Sequence, residues 1–211
     1  MIRVSQLVFE YRRGGDLVLD GVNQTFESGA VSVVTGPSGC GKSTLLYLAG
    51  LLLEPKSGQI LVDDLDVTGW SDIDRSRLRA ESIGFVFQDA ALDPTRTVLD
   101  NVVEGGLYAG MSRRDSVKEA QRLLSRLGVE LRSEHRPGEV SGGQAQRVGL
   151  CRALIKKPSI ILADEPTGNL DPASADIVFA ALTDAAADGA TVVIATHELV
   201  VASRADHVLS F

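Results

Sequence analysis

Residues 36–44 run Gly36, Pro37, Ser38, Gly39, Cys40, Gly41, Lys42, Ser43 and Thr44, the spacing of a G-x-x-x-x-G-K-[ST] phosphate loop. The glycines let successive backbone N–H groups wrap an anion without side-chain clashes. Lys42 brings a fixed positive charge to the β- and γ-phosphates, and the Ser43 hydroxyl is a hard oxygen ligand for Mg²⁺. The context agrees. The apolar run "AVSVVT" precedes the loop, and a helical pattern follows it, whose N-terminus would face the phosphates. Cys40 sits where a small residue suffices and reads as no more than that.

Further candidates stand at the ends of apolar runs. "SIILADE" closes on Asp164 and Glu165. Two adjacent acids at a buried strand end cost free energy unless a cation is near. Asp164 is therefore a holder of Mg²⁺ or its water, and Glu165 a group to polarise an attacking water. "VVIATHE" leads to His197 and "IGFVFQ" to Gln88. In an open α/β sheet the ligand sits at the carboxyl ends of the strands. His197 is thus a γ-phosphate contact, and Gln88 a neutral amide able to touch Mg²⁺ or the water. A third feature is Ser141-Gly142-Gly143 ahead of a helical pattern in "VSGGQAQRVGLCRAL". A hydroxyl and free N–H groups at a helix start make a second anion-binding turn. The residues alone leave its ligand open.

These residues need elements to hold them. "SVVT", "IILA" and "VVIA" are too apolar for half-exposed strands and read as parallel strands covered on both faces. Helical patterns follow them at Lys42–Leu53, Pro172–Ala187 and Glu198–Arg204, which gives α/β with a parallel core. From about Thr97 to Lys157 the patterns are helical only. "TVLDNVVEGGLYAG" reads as a helix broken at Gly105-Gly106, and "RRDSVKEAQRLLSRLG" as an amphipathic helix ended by Gly128. The first thirty residues suggest a small antiparallel sheet with a turn at Arg13-Gly14-Gly15. The expected organisation is one domain over 1–211. A nucleotide-binding α/β core takes 1–88 and 158–211, and a helical subdomain takes about 89–157.

In order, Tyr11, the Gly36–Thr44 loop, Gln88, "VSGGQ", "ILADE", "NLD" (Asn169-Leu170-Asp171) and His197 resemble the ATP-binding cassette ATPases along essentially the whole chain. The resemblance implies a P-loop NTPase fold with an N-terminal antiparallel β subdomain and an inserted helical subdomain, and ATP and Mg²⁺ as cofactors. Tyr11 would stack on adenine, Glu165 would be the catalytic base with Lys42, Gln88 and His197 beside it, and Ser43, Gln88 and Asp164 would serve the metal. It also implies a ligand for the second turn. Two chains pair as a homodimer around ATP, and Ser141, Gly142, Gly143 and Gln144 of one close over the γ-phosphate held by the other, with Asp171 touching the opposite subunit. "PTGNLD" looks most like the branch serving lipoprotein release, macrolide and peptide export, and cell division. The resemblance further implies a separate transmembrane permease docked between Gln88 and about Leu107. A non-transporting mechanotransduction ATPase is the alternative.

There are departures. Val140 replaces the usual Leu, Cys151 stands where Ala is common, and Asp93 and Arg96 fall where apolar residues are expected. The chain stops at "HVLSF", before a hairpin that usually follows.

The bulk numbers fit. A net charge of −7 argues against a protein whose main partner is nucleic acid. Two cysteines, Cys40 and Cys151, give no disulfide framework. The longest apolar run, Leu45–Leu53, is far short of the roughly 20 residues that span a bilayer. The expected location is cytoplasmic, peripheral on the inner face of the cell membrane.

Overall fold

A computed structural model describes all 211 residues. Strands β1 (Ile2–Phe9), β2 (Leu19–Phe26), β4 (Ser57–Val62) and β5 (Leu65–Asp66) form an antiparallel sheet in the order β2-β1-β4-β5. Strands β3 (Val31–Thr35), β6 (Ile83–Val86), β7 (Ile160–Asp164), β8 (Thr191–Ala195) and β9 (His207–Ser210) form a parallel sheet in the order β6-β7-β8-β3-β9. Every residue of β3, β7 and β8 is buried, as their solid apolar composition requires. β1 alternates instead, because only one of its faces meets the core.

The parallel sheet separates two apolar layers. Val34, Ile160, Leu162, Val193 and Ala195 face α1 (Lys42–Ala49) and the antiparallel sheet. Val33, Ile161, Ala163, Val192 and Ile194 face α6 (Pro172–Ala187) and the helical group α3 (Val98–Tyr108), α4 (Arg113–Arg126) and α5 (Gly142–Leu154). Leu150 of α5 is fully buried there, and a side chain of that size stabilises by about 2 kcal/mol. The remaining α-helices are α2 (Asp72–Ser82) and the short α7 (Leu199–Ala202), and two single 3₁₀ turns lie at Glu130–Arg132 and Pro137–Glu139. No helix is long and apolar enough to cross a membrane.

Three boundaries differ from the sequence expectation. α3 runs unbroken through Gly105 and Gly106. A Cβ on Gly105 would lie 2.7 Å from the Arg152 carbonyl oxygen, and one on Gly106 2.6 Å from Ser116 Oγ. The pair is there for the close approach of α3 to α5 and α4, and overpacking at such a site costs about 1–3 kcal/mol. α1 stops at Ala49 instead of Leu53, because Gly50 caps it and Leu51 turns left-handed at φ 58°. α7 keeps only Leu199–Ala202 of the expected Glu198–Arg204. The turn at Arg12–Gly15 closes as expected, with Gly15 N donating to Arg12 O at 2.8 Å.

Candidate nucleotide site

The phosphate loop links the carboxyl end of β3 to the start of α1. Gly41 holds φ 105° at the N-cap, where a Cβ would meet Leu19 Cδ2 at 2.9 Å and Val18 O at 3.1 Å, so no other residue fits without a shift. No side chain caps α1, which leaves its first-turn N–H groups without a side-chain partner. Lys42 is only 7% exposed and donates Nζ to Gly36 O and Pro37 O, each at 2.9 Å. A buried ammonium resting on two carbonyls of its own loop stands ready for an anion.

Asp164 ends β7 at 4% exposure. Ser43 Oγ donates to its Oδ1 at 2.8 Å, and the Tyr47 hydroxyl donates to Oδ2 at 2.9 Å. Burial, followed by the bond to Asp164, pushes the Tyr47 phenol up to about 12, so it remains a donor at neutral pH. Both partners of this buried carboxylate are neutral hydroxyls, an arrangement that a cation would improve. The donors are hard oxygens, as Mg²⁺ requires. No group of three or more His, Cys, Asp or Glu gathers to hold a metal alone. That suits an ion that takes one or two protein oxygens and completes its shell with substrate phosphates and water.

Glu165 follows in the left-handed region, φ 44°. Such a conformation costs on the order of 1–3 kcal/mol and persists only where its surroundings enforce it. Here Glu165 N donates to Ala195 O at 2.8 Å, Thr196 Oγ1 donates to Oε2 at 2.9 Å, and His197 Nδ1 pairs with Oε1 at 2.8 Å. The bond to Glu165 raises the His197 pKa above its ordinary 6.5, while the ring stays exposed. Thr196 is fully buried and also accepts from Glu198 N, which fixes the direction of its hydroxyl. Gln88 lies two residues beyond β6 and is exposed. It lines a cleft of ≈ 150 Å³ with Glu165, Gly142, Gln146 and Asn169.

Tyr11 is 61% exposed, its hydroxyl 2.9 Å from Thr44 Oγ1 and its ring edge-on to Phe9 at 4.9 Å. One face of the ring is thereby left to a flat partner beside the loop. Ser141 Oγ accepts from Gln144 N at 3.2 Å while Gln144 Oε1 accepts from Ser141 N at 2.9 Å, a closed capping box at the start of α5. Ser141 and Gly142 are exposed and bond to nothing in the phosphate loop. Asp171 caps α6 by accepting from Ser174 N at 3.0 Å, and Ser174 lowers its pKa. The chain therefore brings Lys42, Ser43, Asp164, Glu165 and His197 into one centre, while the Ser141 turn, whose Gly142 reaches the cleft beside Glu165 and Gln88, makes no hydrogen bond to the phosphate loop.

Cys40 Sγ packs on Gly36, and the buried Cys151 thiol is pushed up to about 12 by desolvation, which makes it unreactive. Asp93 and Arg96 pair with each other at 2.9 Å, and Arg96 reaches Glu104 at 3.0 Å. The unexpected charges are thus neutralised locally. Two site residues escaped the motif reading. Tyr47 carried a legible signal, since it falls one helical turn after Ser43. Thr196 carried none beyond its place before His197.

The family model described as "ABC transporter" matches residues 19–168. The lipoprotein-releasing system ATP-binding protein LolD of Nitrobacter hamburgensis is 44% identical over 194 residues, 92% of this chain and 84% of that protein. LolD of Cereibacter sphaeroides is 43% identical over 213 residues, 99% of this chain and 95% of that protein. The dimeric post-hydrolysis structure of the ATP-binding cassette MJ0796 bound to ADP and Pi superposes with a TM-score of 0.94 at 33% identity, covering 100% of this chain and 94% of that one. A phosphate loop, an acidic pair and an outlying Ser-Gly-Gly turn on this fold, with relatives this close over its length, show that the chain belongs to the ABC transporter family, as the ATP-hydrolysing subunit of such a transporter.

Proposed function

We propose that the chain hydrolyses Mg·ATP at sites shared between two copies of itself, with Ser43 and Asp164 holding the ion and Glu165 acting as base. The observation that carries this is the pairing of Ser43 with Asp164, with Glu165 next in the chain held by Thr196 and His197. Mg²⁺, when bound, supplies charge that polarises the β- and γ-phosphate oxygens. Lys42 turns from the Gly36 and Pro37 carbonyls to the phosphates, and Tyr11 stacks on adenine. Water bonds to the γ-phosphorus, the bond to the β–γ bridging oxygen breaks, and the water's proton passes to Glu165. For Glu165 to accept it, His197 must release Oε1, and the γ-phosphate beside Gln88 is the partner it turns to. Ser141, Gly142, Gly143 and Gln144 of the second copy close over that phosphate, with Asp171 at the seam, so ATP joins the two copies and ADP lets them part. Dimeric MJ0796 supports this arrangement. Segment 89–157 acts as the lobe bearing the Ser-Gly-Gly turn, and the rest as the nucleotide-binding core.

The likeness to LolD supports lipoproteins as the cargo of the assembled transporter, and a position on the inner face of the membrane beneath separate permease subunits. A groove of ≈ 550 Å³ suits that docking. Phe85, Phe87, Ala91, Glu104, Tyr108 and Arg152 line it, partly within the segment from Gln88 to Leu107. The test is reconstitution of the native complex in vesicles carrying a lipid-anchored protein. ATP-dependent release that stops with Glu165→Gln is the expected result. ATP turnover without any release would remove the lipoprotein reading.

A further inference from the structure

The aspartate assigned to the cation is gripped from a position outside the phosphate-loop motif. Tyr47 lies one turn past Ser43 on α1, so both side chains leave the same face of the helix. Ser43 Oγ holds Asp164 Oδ1 at 2.8 Å and the Tyr47 hydroxyl holds Oδ2 at 2.9 Å. The two donors are not equivalent. A cation claims the Ser43 hydroxyl as a ligand, whereas the phenol is free to stay on Oδ2. The ring behind that phenol is itself fixed. Its centroid is 5.8 Å from that of Phe85 at a 47° tilt, and Phe85 stacks on Phe87 at 4.8 Å and 17°. In a chain with 5% aromatic residues, three of them stand in line behind one carboxylate.

We propose that Tyr47 is a positioning residue for the ATPase reaction: its hydroxyl sets the rotation of the Asp164 carboxylate so that Oδ1 faces the cation, and Phe85 locks the ring that does so. This rests on the reading of Asp164 as the cation holder. A carboxylate with one oxygen pinned presents the other in a single direction, while an unpinned one rotates about its last bond and must be ordered when the ion binds. Partners that orient a metal ligand in this way are worth about 10–100-fold in metal affinity.

The test uses the full chain with a non-hydrolysable ATP analogue and Mn²⁺ as the probe, its binding followed by electron paramagnetic resonance. Tyr47→Phe removes one oxygen and keeps the ring, and should weaken Mn²⁺ binding about tenfold. Its KM for ATP at saturating Mg²⁺ should stay within about twofold of wild type, since the phosphate and adenine contacts lie elsewhere, and high Mg²⁺ should restore most of kcat. Phe85→Leu keeps the hydroxyl and loosens the ring, and should weaken Mn²⁺ binding by a smaller factor. Asp164→Asn separates the two readings. If it binds Mn²⁺ like wild type, Asp164 is not the holder. If it loses Mn²⁺ while Tyr47→Phe binds within about twofold of wild type, the role of Tyr47 is overturned. A purely structural Tyr47 would lower the melting temperature and leave metal affinity unchanged, which also overturns the proposal.

Discussion

Two helices begin with anion-binding chemistry, and they begin differently. α1 starts at Gly41 with no side chain on its free N–H groups, and the buried Lys42 follows at once. α5 starts at Ser141 with both halves of a capping box closed, on an exposed edge. The first end is left open for a ligand that the same chain surrounds. The second is satisfied by itself until something better arrives. An N-cap is worth about 1 kcal/mol. A hydrogen bond to a charged group is worth about 1.5–3 kcal/mol. On the proposed shared site, a γ-phosphate delivered by another copy would therefore be able to displace the Gln144–Ser141 box. If the turn serves the shared site proposed above, self-capping would keep it ordered until a second copy brings the phosphate.

The sharpest break of this contrast is at the prepared end. Glu165→Gln keeps the shape of the side chain and, through its one carbonyl oxygen, the bond to His197, but the amide cannot take a proton. Turnover should fall by about 10²-fold or more with ATP binding intact, and an ATP-bound dimer should accumulate. Single-turnover hydrolysis within about twofold of wild type would mean that Glu165 is not the base.

The capped end is tested by mixing. A Ser141→Arg chain keeps its phosphate loop and spoils its partner's site, whereas a Lys42→Ala chain does the reverse. Each alone should be nearly inactive. Together they form dimers in which one site is sound. About half the dimers are mixed, each with half the sites, so activity should return to roughly a quarter of wild type if one site fires alone. Strict coupling of the sites would suppress that recovery, so ATP-dependent dimerisation is measured in parallel. Mixtures that neither dimerise nor hydrolyse better than the single mutants would put the two helix ends in separate roles.

The same contrast explains what the sequence made legible. The phosphate loop, the acidic pair and His197 are read from local spacing, because each is fixed by the strand or helix it ends. The capping box is also local, Ser141 and Gln144 being three residues apart, yet the phosphate chemistry of that turn masked it. What spacing could not give was contact between elements. The break expected at Gly105-Gly106 assumed that glycine weakens a helix, whereas the carbonyl of Arg152 and the hydroxyl of Ser116 need the room. α2 went unread because none of its residues is buried, so it has no apolar stripe to recognise. Tyr47 and Thr196 act on Asp164 and Glu165 from 117 and 31 residues away, a distance that no motif spans.

A smaller effect is expected at the adenine. Tyr11 is tied to the prepared end by its hydroxyl on Thr44. Tyr11→Ala should raise the KM for ATP several-fold, as about 1 kcal/mol of stacking predicts. Because a ring face reads little of the base edge, GTP should also bind, somewhat more weakly than ATP. Tyr11→Phe should stay near wild type if the ring acts alone. An unchanged KM in Tyr11→Ala would remove the residue from the site.

The smallest effect asks whether the prepared end is tied down before any ligand arrives. His197 is exposed, and its bond to Glu165 raises its pKa above 6.5. A group with a raised folded-state pKa contributes stability that is complete below the unfolded value and is lost as pH rises through the folded one. Ligand-free protein should therefore lose a little thermal stability as pH climbs from about 6.5 through the His197 midpoint, and added salt should blunt the change because the ring is exposed. An NMR titration of the ring gives the midpoint directly. It should lie above 6.5 in the wild type and fall in Glu165→Gln, which accepts the same bond without the charge. A midpoint at or below 6.5, or one that Glu165→Gln leaves alone, would mean that His197 is loose in the free chain. The prepared end would then be as dependent on its ligand as the capped one.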